Sequence, residues 1–202
     1  KIKLFFNQLV GANRGERRIE KLPLPVSIIA TDIGNGERVV MREGSLTTAM
    51  RASMSVPGLL APITREGRKL VDGGLVDNVP IGEARERCNA DIVIAVNVGS
   101  PLLPAESVGS LLTISAQMVN ILTEQNVARS LASLKPTDIY IQPDLGTITA
   151  GDFGRHAEAA DRGRAAADKV REQLAQLGTD ARQYALWREP IDRVYQPKPT
   201  ID

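Results

Sequence analysis

The hydrophobic pattern along this chain changes period several times, and each change marks an element. Val26-Ser27-Ile28-Ile29-Ala30-Thr31 is rich in β-branched residues and runs into Asp32 and the Gly34-Asn35-Gly36 segment. That predicts a strand, a hairpin turn and a returning strand over residues 37–41. Ser45 is placed to cap a helix through Leu46, Ala49, Met50 and Ala52, stopped ahead of Pro57-Gly58. A short strand pair around Ile63 and Leu70-Val71 flanks a turn at Glu66-Gly67, and residues 81–87 read as a short helix. Residues 91–98 are almost continuously apolar, the pattern of a parallel strand covered by helices on both faces.

Apolar positions then switch to helical spacing. Val108, Leu111, Leu112, Met118, Val119, Leu122, Val127, Leu131 and Leu134 recur mostly three or four residues apart until Pro136. That stripe suits burial against a sheet or a dimer face. Ile139-Tyr140-Ile141-Gln142 supplies a further strand, and residues 157–177 read as an alanine-rich helix interrupted only at Gly163. Residues 1–10 form an amphipathic lead containing Phe5-Phe6, and residues 11–18 a charged loop. At the other end residues 181–202, with Pro190, Pro197 and Pro199, read as a linker toward a further domain, which leaves residues 1–180 as the folded part. Strands alternating with helices give an α/β class.

Composition narrows the chemistry. The 202 residues are 43% hydrophobic and 24% charged, with 25 Lys and Arg against 24 Asp and Glu. A net charge of +1 speaks against a nucleic-acid partner, which calls for a basic excess. Cys88 is the one cysteine, so neither a disulfide framework nor a cysteine-rich zinc site is available. His156 is the one histidine and sits in a polar stretch, a poor start for a Ser-His-Asp triad. No phosphate-cradling or dinucleotide glycine motif occurs, so no cofactor is implied. No apolar stretch reaches the roughly 18–20 residues that span a bilayer.

The segment that stands apart is Leu70-Val71-Asp72-Gly73-Gly74-Leu75-Val76-Asp77-Asn78-Val79-Pro80. Asp72 follows a short apolar strand, and two glycines follow it. They permit unusual backbone angles and let another segment approach closely, so a carboxylate at a strand end is able to project into a cleft. On local sequence alone a plain β-turn, of which Asp-Gly is the commonest signal, is the simpler reading. Ser53 and Ser55, in Arg51-Ala52-Ser53-Met54-Ser55-Val56-Pro57-Gly58, lie at a helix end rather than in the Gly-x-Ser-x-Gly elbow of an activated serine.

Six segments in one order resemble the C-terminal half of a patatin-like phospholipase domain. They are Pro23-Leu24-Pro25 leading into Ala30-Thr31-Asp32, Gly36-Glu37-Arg38-Val39-Val40, the Arg51 to Gly58 motif, Gly67-Arg68-Lys69-Leu70-Val71-Asp72-Gly73-Gly74, Asn78-Val79-Pro80, and the apolar run at 91–98. The resemblance implies a three-layer α/β/α fold with a mostly parallel central sheet. It also implies a serine acyl hydrolase that uses a Ser-Asp dyad without histidine or metal. Asp72 would be the base, with Gly73 and Gly74 shaping its turn. The Gly-x-Ser-x-Gly elbow and the oxyanion glycines are absent here and would lie upstream of Lys1. At position 97, where the family commonly has aspartate, this chain has Asn97.

Phospholipid or another lipid ester is the substrate so implied, with peripheral membrane contact through Leu59-Leu60 and Leu4-Phe5-Phe6. The alternative is a non-catalytic module on the same fold that binds lipid headgroups, for which Lys1, Lys3, Arg14, Arg17 and Arg18 supply positive charge. Residues 117–122 and 143–146 are similar to an exported bacterial group in which this domain is joined to a POTRA-type domain and an outer-membrane β-barrel. That similarity implies a secreted or cell-surface location.

Overall fold

A computed structural model describes residues 17–149 and 151–195. The amphipathic lead, with Leu4-Phe5-Phe6 and the cations Lys1, Lys3 and Arg14, lies outside the described residues. Strand β1 (Ile28–Asp32) turns through Gly36, at φ +75°, into β2 (Arg38–Met41), and the two pair antiparallel with Ala30 opposite Val39. Helix α1 (Leu46–Ser53) follows, with Ser45 Oγ accepting the Thr48 N–H at 3.3 Å, the N-cap expected there. Strands β3 (Ile63–Arg65) and β4 (Arg68–Asp72) form a hairpin. Its two turn residues, Glu66 and Gly67, both have positive φ, so the turn's twist matches that of the strands.

These four strands make one antiparallel sheet in the order β2-β1-β4-β3. Ala49 and Ala52 of α1 are fully covered, and with Leu46 they pack on Ala30, Met41 and Leu70. Small alanines on the buried helix face let α1 lie close to the sheet. Leu70, 1% exposed, is the largest strand contribution to this core, and complete burial of such a side chain is worth about 1.5–3 kcal/mol.

Beyond β4 come α2 (Ile81–Cys88), β5 (Ile94–Val96), α3 (Leu111–Leu131) and β6 (Ile139–Ile141). Strands β5 and β6 pair parallel, with Ala95 opposite Tyr140, and α3 lies in the crossover between them. Parallel partners need such a connection. The mixed α/β class is therefore the one expected. Among the described residues, parallel pairing is confined to β5 and β6.

Three local expectations change. First, β5 is not covered on both faces by the described residues. Val93 and Ala95 pack with Val79, Ile81 and Val127, whereas the alternate residues Ile94 and Val96 are about half exposed, at 49% and 50%. A strand's period of two sends them to the other face, where residues 166–174 cover Ile139 and Ile141 of the neighbouring β6 and leave β5 bare. Second, the alanine-rich segment breaks at Lys169-Val170 rather than at Gly163, giving α4 (His156–Asp168) and α5 (Arg171–Gln176). The break lets Val170 and Leu174 join Ala166 against Ile139 and Ile141 of β6. Third, the 181–202 stretch opens with a helix, α6 (Ala181–Tyr195), that continues through Pro190. Proline removes one helical N–H donor there. Tyr184, Leu186 and Trp187 stay exposed and Ile191 is buried.

Two polar clusters tie the layers together. Glu83 of α2, 3% exposed, accepts both Nε (2.8 Å) and Nη2 (2.7 Å) of Arg42, just beyond β2, and the Ser27 hydroxyl at 2.5 Å. Arg87, one turn further along α2, donates to Ser27 Oγ and to the Val26 carbonyl. Asp138 accepts the backbone N–H groups of Val93 and Lys135 and the guanidinium of Arg85, joining α2 to the starts of β5 and β6.

Candidate active site

Asp72 is the last residue of β4 and the N-cap of a single 3₁₀ turn, Gly73–Leu75. Three hydrogen bonds fix it. Its N–H donates to the Ser55 carbonyl at 3.0 Å, its own carbonyl accepts the Thr31 hydroxyl at 2.7 Å, and its Oδ1 accepts the Gly74 N–H at 2.7 Å. Oδ2 has no hydrogen-bond partner among the described residues. The side chain is half-buried and lines a cleft of about 420 Å³ between the start of β1, Ser53 and the 72–80 loop. Burial pushes the carboxyl above the usual aspartate range, and the Gly74 N–H works against that rise. The result is a carboxylate with one oxygen held, the other unclaimed, and more basicity than a solvated aspartate has.

The glycines are needed for space rather than for backbone angle. Neither Gly73 nor Gly74 has positive φ, contrary to the freedom of angle expected from sequence. A Cβ on Gly73 would lie 2.3 Å from the Ile29 carbonyl oxygen, and one on Gly74 would lie 2.7 Å from Asn78 Oδ1 and 3.0 Å from Asp72 Oδ1. Close approach of β1 to the turn is what excludes a side chain at 73.

Several residues of this site went unnoticed in the sequence. Asn126 of α3, 3% exposed, accepts the Asn78 N–H at 2.9 Å and donates to the carbonyls of Gly74 (2.8 Å) and Leu122 (2.9 Å). Thr123 adds a second donor to the Gly74 carbonyl at 3.1 Å. Together they hold the outer side of the 3₁₀ turn. A signal existed: Asn126 stands four residues after Leu122 and seven after Val119, on the apolar register of the helix. Thr31 and Asp77 also support the loop, the latter through Arg38 at 2.6 Å.

The other candidates separate. Ser55 is fully buried, its hydroxyl donating to the Arg51 carbonyl and accepting from the Arg51 guanidinium, so it is a structural group. Ser53 shares the Asp72 cleft. His156 is exposed at the start of α4 and does not line that cleft. Asn97, 8% exposed, accepts the Gly99 N–H and donates to the Tyr140 hydroxyl, closing the end of β5.

Comparison with known proteins agrees with the resemblance. The patatin-like phospholipase family matches residues 2–85, which include β1 to β4, Asp72 and both glycines. An uncharacterised NTE family protein of Mycobacterium tuberculosis is 42% identical over 92 residues, 45% of this chain and 25% of the relative. Lysophospholipase NTE1 of Debaryomyces hansenii is 28% identical over 197 residues, 86% of this chain and 13% of the relative. Patatin-like phospholipase domain-containing protein 7 of Mus musculus is 29% identical over 186 residues, 78% of this chain and 13% of that protein. The chain thus spans a quarter or less of the length of these three relatives. Its first part is similar to patatin-like phospholipases, and most of its length to NTE family proteins, one of them named as a lysophospholipase.

Proposed function

We propose that this chain is the aspartate-bearing part of a lipid acyl hydrolase that cleaves carboxylic esters of phospholipids or lysophospholipids. The observation that carries the reading is Asp72 itself: half-buried, raised in pKa, anchored through Oδ1 and lining a cleft through which a hydroxyl has access. The nucleophile is a serine in a Gly-x-Ser-x-Gly elbow upstream of Lys1. As its Oγ attacks the acyl carbonyl, the hydroxyl proton passes to Asp72, and the oxyanion is held by backbone N–H groups of the same upstream part. Collapse of the tetrahedral adduct expels the lipid alcohol, which takes the proton from Asp72. Water, deprotonated by Asp72, then attacks the acyl-serine, and as the second adduct collapses Asp72 returns that proton to the serine Oγ and the fatty acid leaves.

A carboxylate at its reference pKa near 3.9 is a weak base for an alcohol. Desolvation narrows that gap, and the single N–H donor that aims the carboxylate lowers its basicity less than two or three donors would. No histidine is needed in this scheme. Export, with attachment to an outer-membrane barrel, belongs to the same proposal and is tested by cell fractionation. The test of the activity is ester hydrolysis by the full-length protein and its Asp72→Asn variant, in which kcat should fall by about 10²–10⁴-fold.

A further inference from the structure

The Asp72 carboxylate is aimed through a residue that cannot hold itself. Among the described residues, the Gly74 N–H is the one hydrogen bond that carboxylate receives. Two successive glycines are the freest backbone a chain can offer, so the direction of that N–H depends on what pins Gly74. Within the turn, the Gly73 carbonyl accepts the N–H groups of Val76 and Asp77, at 3.1 and 3.0 Å. The Gly74 carbonyl accepts no main-chain N–H among the described residues.

Its donors come from α3 instead: Asn126 Nδ2 at 2.8 Å and Thr123 Oγ1 at 3.1 Å, about one turn apart on the helix. Every polar atom of the Asn126 amide is committed. Its second N–H meets the Leu122 carbonyl one turn back, which braces the amide against its own helix. Its Oδ1 accepts the Asn78 N–H, so the side chain grips the loop at both 74 and 78. Asp72, Gly74 and Asn78 all line the same cleft.

We propose that Asn126 is a positioning residue for hydrolysis: with Thr123 it fixes Gly74 to α3, and so sets the direction in which Asp72 presents its free oxygen. The catalytic half of the proposal rests on the reading of Asp72 as the hydrolytic base. The hold on the carboxylate does not. An asparagine with a merely structural role would set how much protein folds. A positioning one also sets how the folded protein titrates and turns over.

The Gly74 N–H draws the Asp72 carboxyl down against the rise from burial, so loosening Gly74 without admitting water moves it further up. Thr123→Val and Asn126→Leu keep the branched outline of each side chain and open no cavity. The other carboxylate on the cleft, Asp77, is ion-paired with Arg38 and accepts from Ser130, so neither substitution removes a partner from it.

The experiment follows the Asp72 carboxyl carbon by NMR in the full-length protein, its signal identified by loss in Asp72→Asn. Turnover of palmitoyl-lysophosphatidylcholine is measured alongside, counted per serine labelled by a fluorophosphonate. In both variants the carboxyl should titrate at higher pH than in wild type. Per labelled site, kcat should fall about 10–10²-fold in Asn126→Leu, the cost of a reacting group misplaced by about 1 Å. Thr123→Val should lose less, and KM should stay within about twofold in each. Thr123→Ser keeps the hydroxyl and should restore what Thr123→Val loses. If Asn126→Leu does not fold, the two Thr123 variants decide. An Asp72 titration unmoved or lowered in Thr123→Val overturns the positioning role. So does lost activity matched by lost labelling, with kcat per site unchanged. A raised titration with hydrolysis indifferent to Asp72→Asn keeps Asn126 as the residue that aims the carboxylate and removes the dyad instead.

Discussion

The N–H of Asp72 donates to the carbonyl of Ser55 at 3.0 Å, joining the end of β4 to the chain leaving α1. With Thr31 Oγ1 holding the Asp72 carbonyl at 2.7 Å, both main-chain groups of the residue are engaged from different elements. The carboxylate is therefore aimed by the sheet and the helix together. Thr31 is 3% exposed, so its replacement by valine leaves a carbonyl short of a partner in a dry setting. Thr31→Val should lower unfolding free energy by about 1–2 kcal/mol in urea titrations, and reduce kcat more than it changes KM.

Gly73→Ala should be far worse than its chemistry suggests. The added methyl would meet the Ile29 carbonyl at 2.3 Å, a backbone atom of a central strand that has no room to retreat. A loss of about 3 kcal/mol is expected, the top of the range for overpacking. Gly82, in α2, has nothing within 4 Å of the same position. Gly82→Ala should instead stabilise by about 0.5–1 kcal/mol. Thermal melts of the two variants side by side check the contrast.

Asp72 should be kept at the expense of stability. Its folded pKa is raised by burial, so between the unfolded value of 3.8 and the folded value the native state binds more protons than the unfolded chain. Stability then falls as pH rises through that window, and the ionised carboxylate remains a burden at neutral pH. Asp72→Asn should melt at a higher temperature than wild type at pH 7. The gain should shrink as pH falls below the usual aspartate range, where both side chains are neutral.

Glu83 behaves in the opposite sense. The hydrogen-bonded Arg42 guanidinium, aided by Ser27, holds its carboxyl down to about 2. A depressed folded pKa gives stability that is complete above the ordinary value of 4.5 and is lost as pH falls toward about 2. Glu83→Gln should therefore be destabilised at neutral pH, and its melting curve should converge on wild type in acid. A constant difference from pH 7 to pH 2 would show that the ion pair is not the source.

Much of this was legible in residue order because local chemistry and tertiary structure agree. Ser45 caps α1, Gly36 and Glu66-Gly67 turn the hairpins, and Pro136 lies just beyond α3, each by a local backbone rule. Asp72 was legible as a strand-end carboxylate followed by glycines. What could not be read are relations between distant positions. The need for Gly73 comes from Ile29, 44 positions earlier, and the outer clamp on its turn comes from Asn126. The half-exposed face of β5 escaped notice because a continuously apolar run carries no sign of which alternate residues find a partner. The break at Lys169-Val170 follows from Val170 reaching the β6 core, which outweighs the helical preference of the sequence around it.

The measurement that bears most directly on the hydrolase reading is turnover of a lysophospholipid by the full-length protein, wild type against Asp72→Asn, with melting curves recorded on both. Loss of the base should lower kcat by about 10²–10⁴-fold. KM should stay close to wild type, and the melting temperature at pH 7 should not fall. The wild-type rate should also rise with pH through a pKa above that of an ordinary aspartate. Near-normal kcat in a folded Asp72→Asn protein would contradict the assignment.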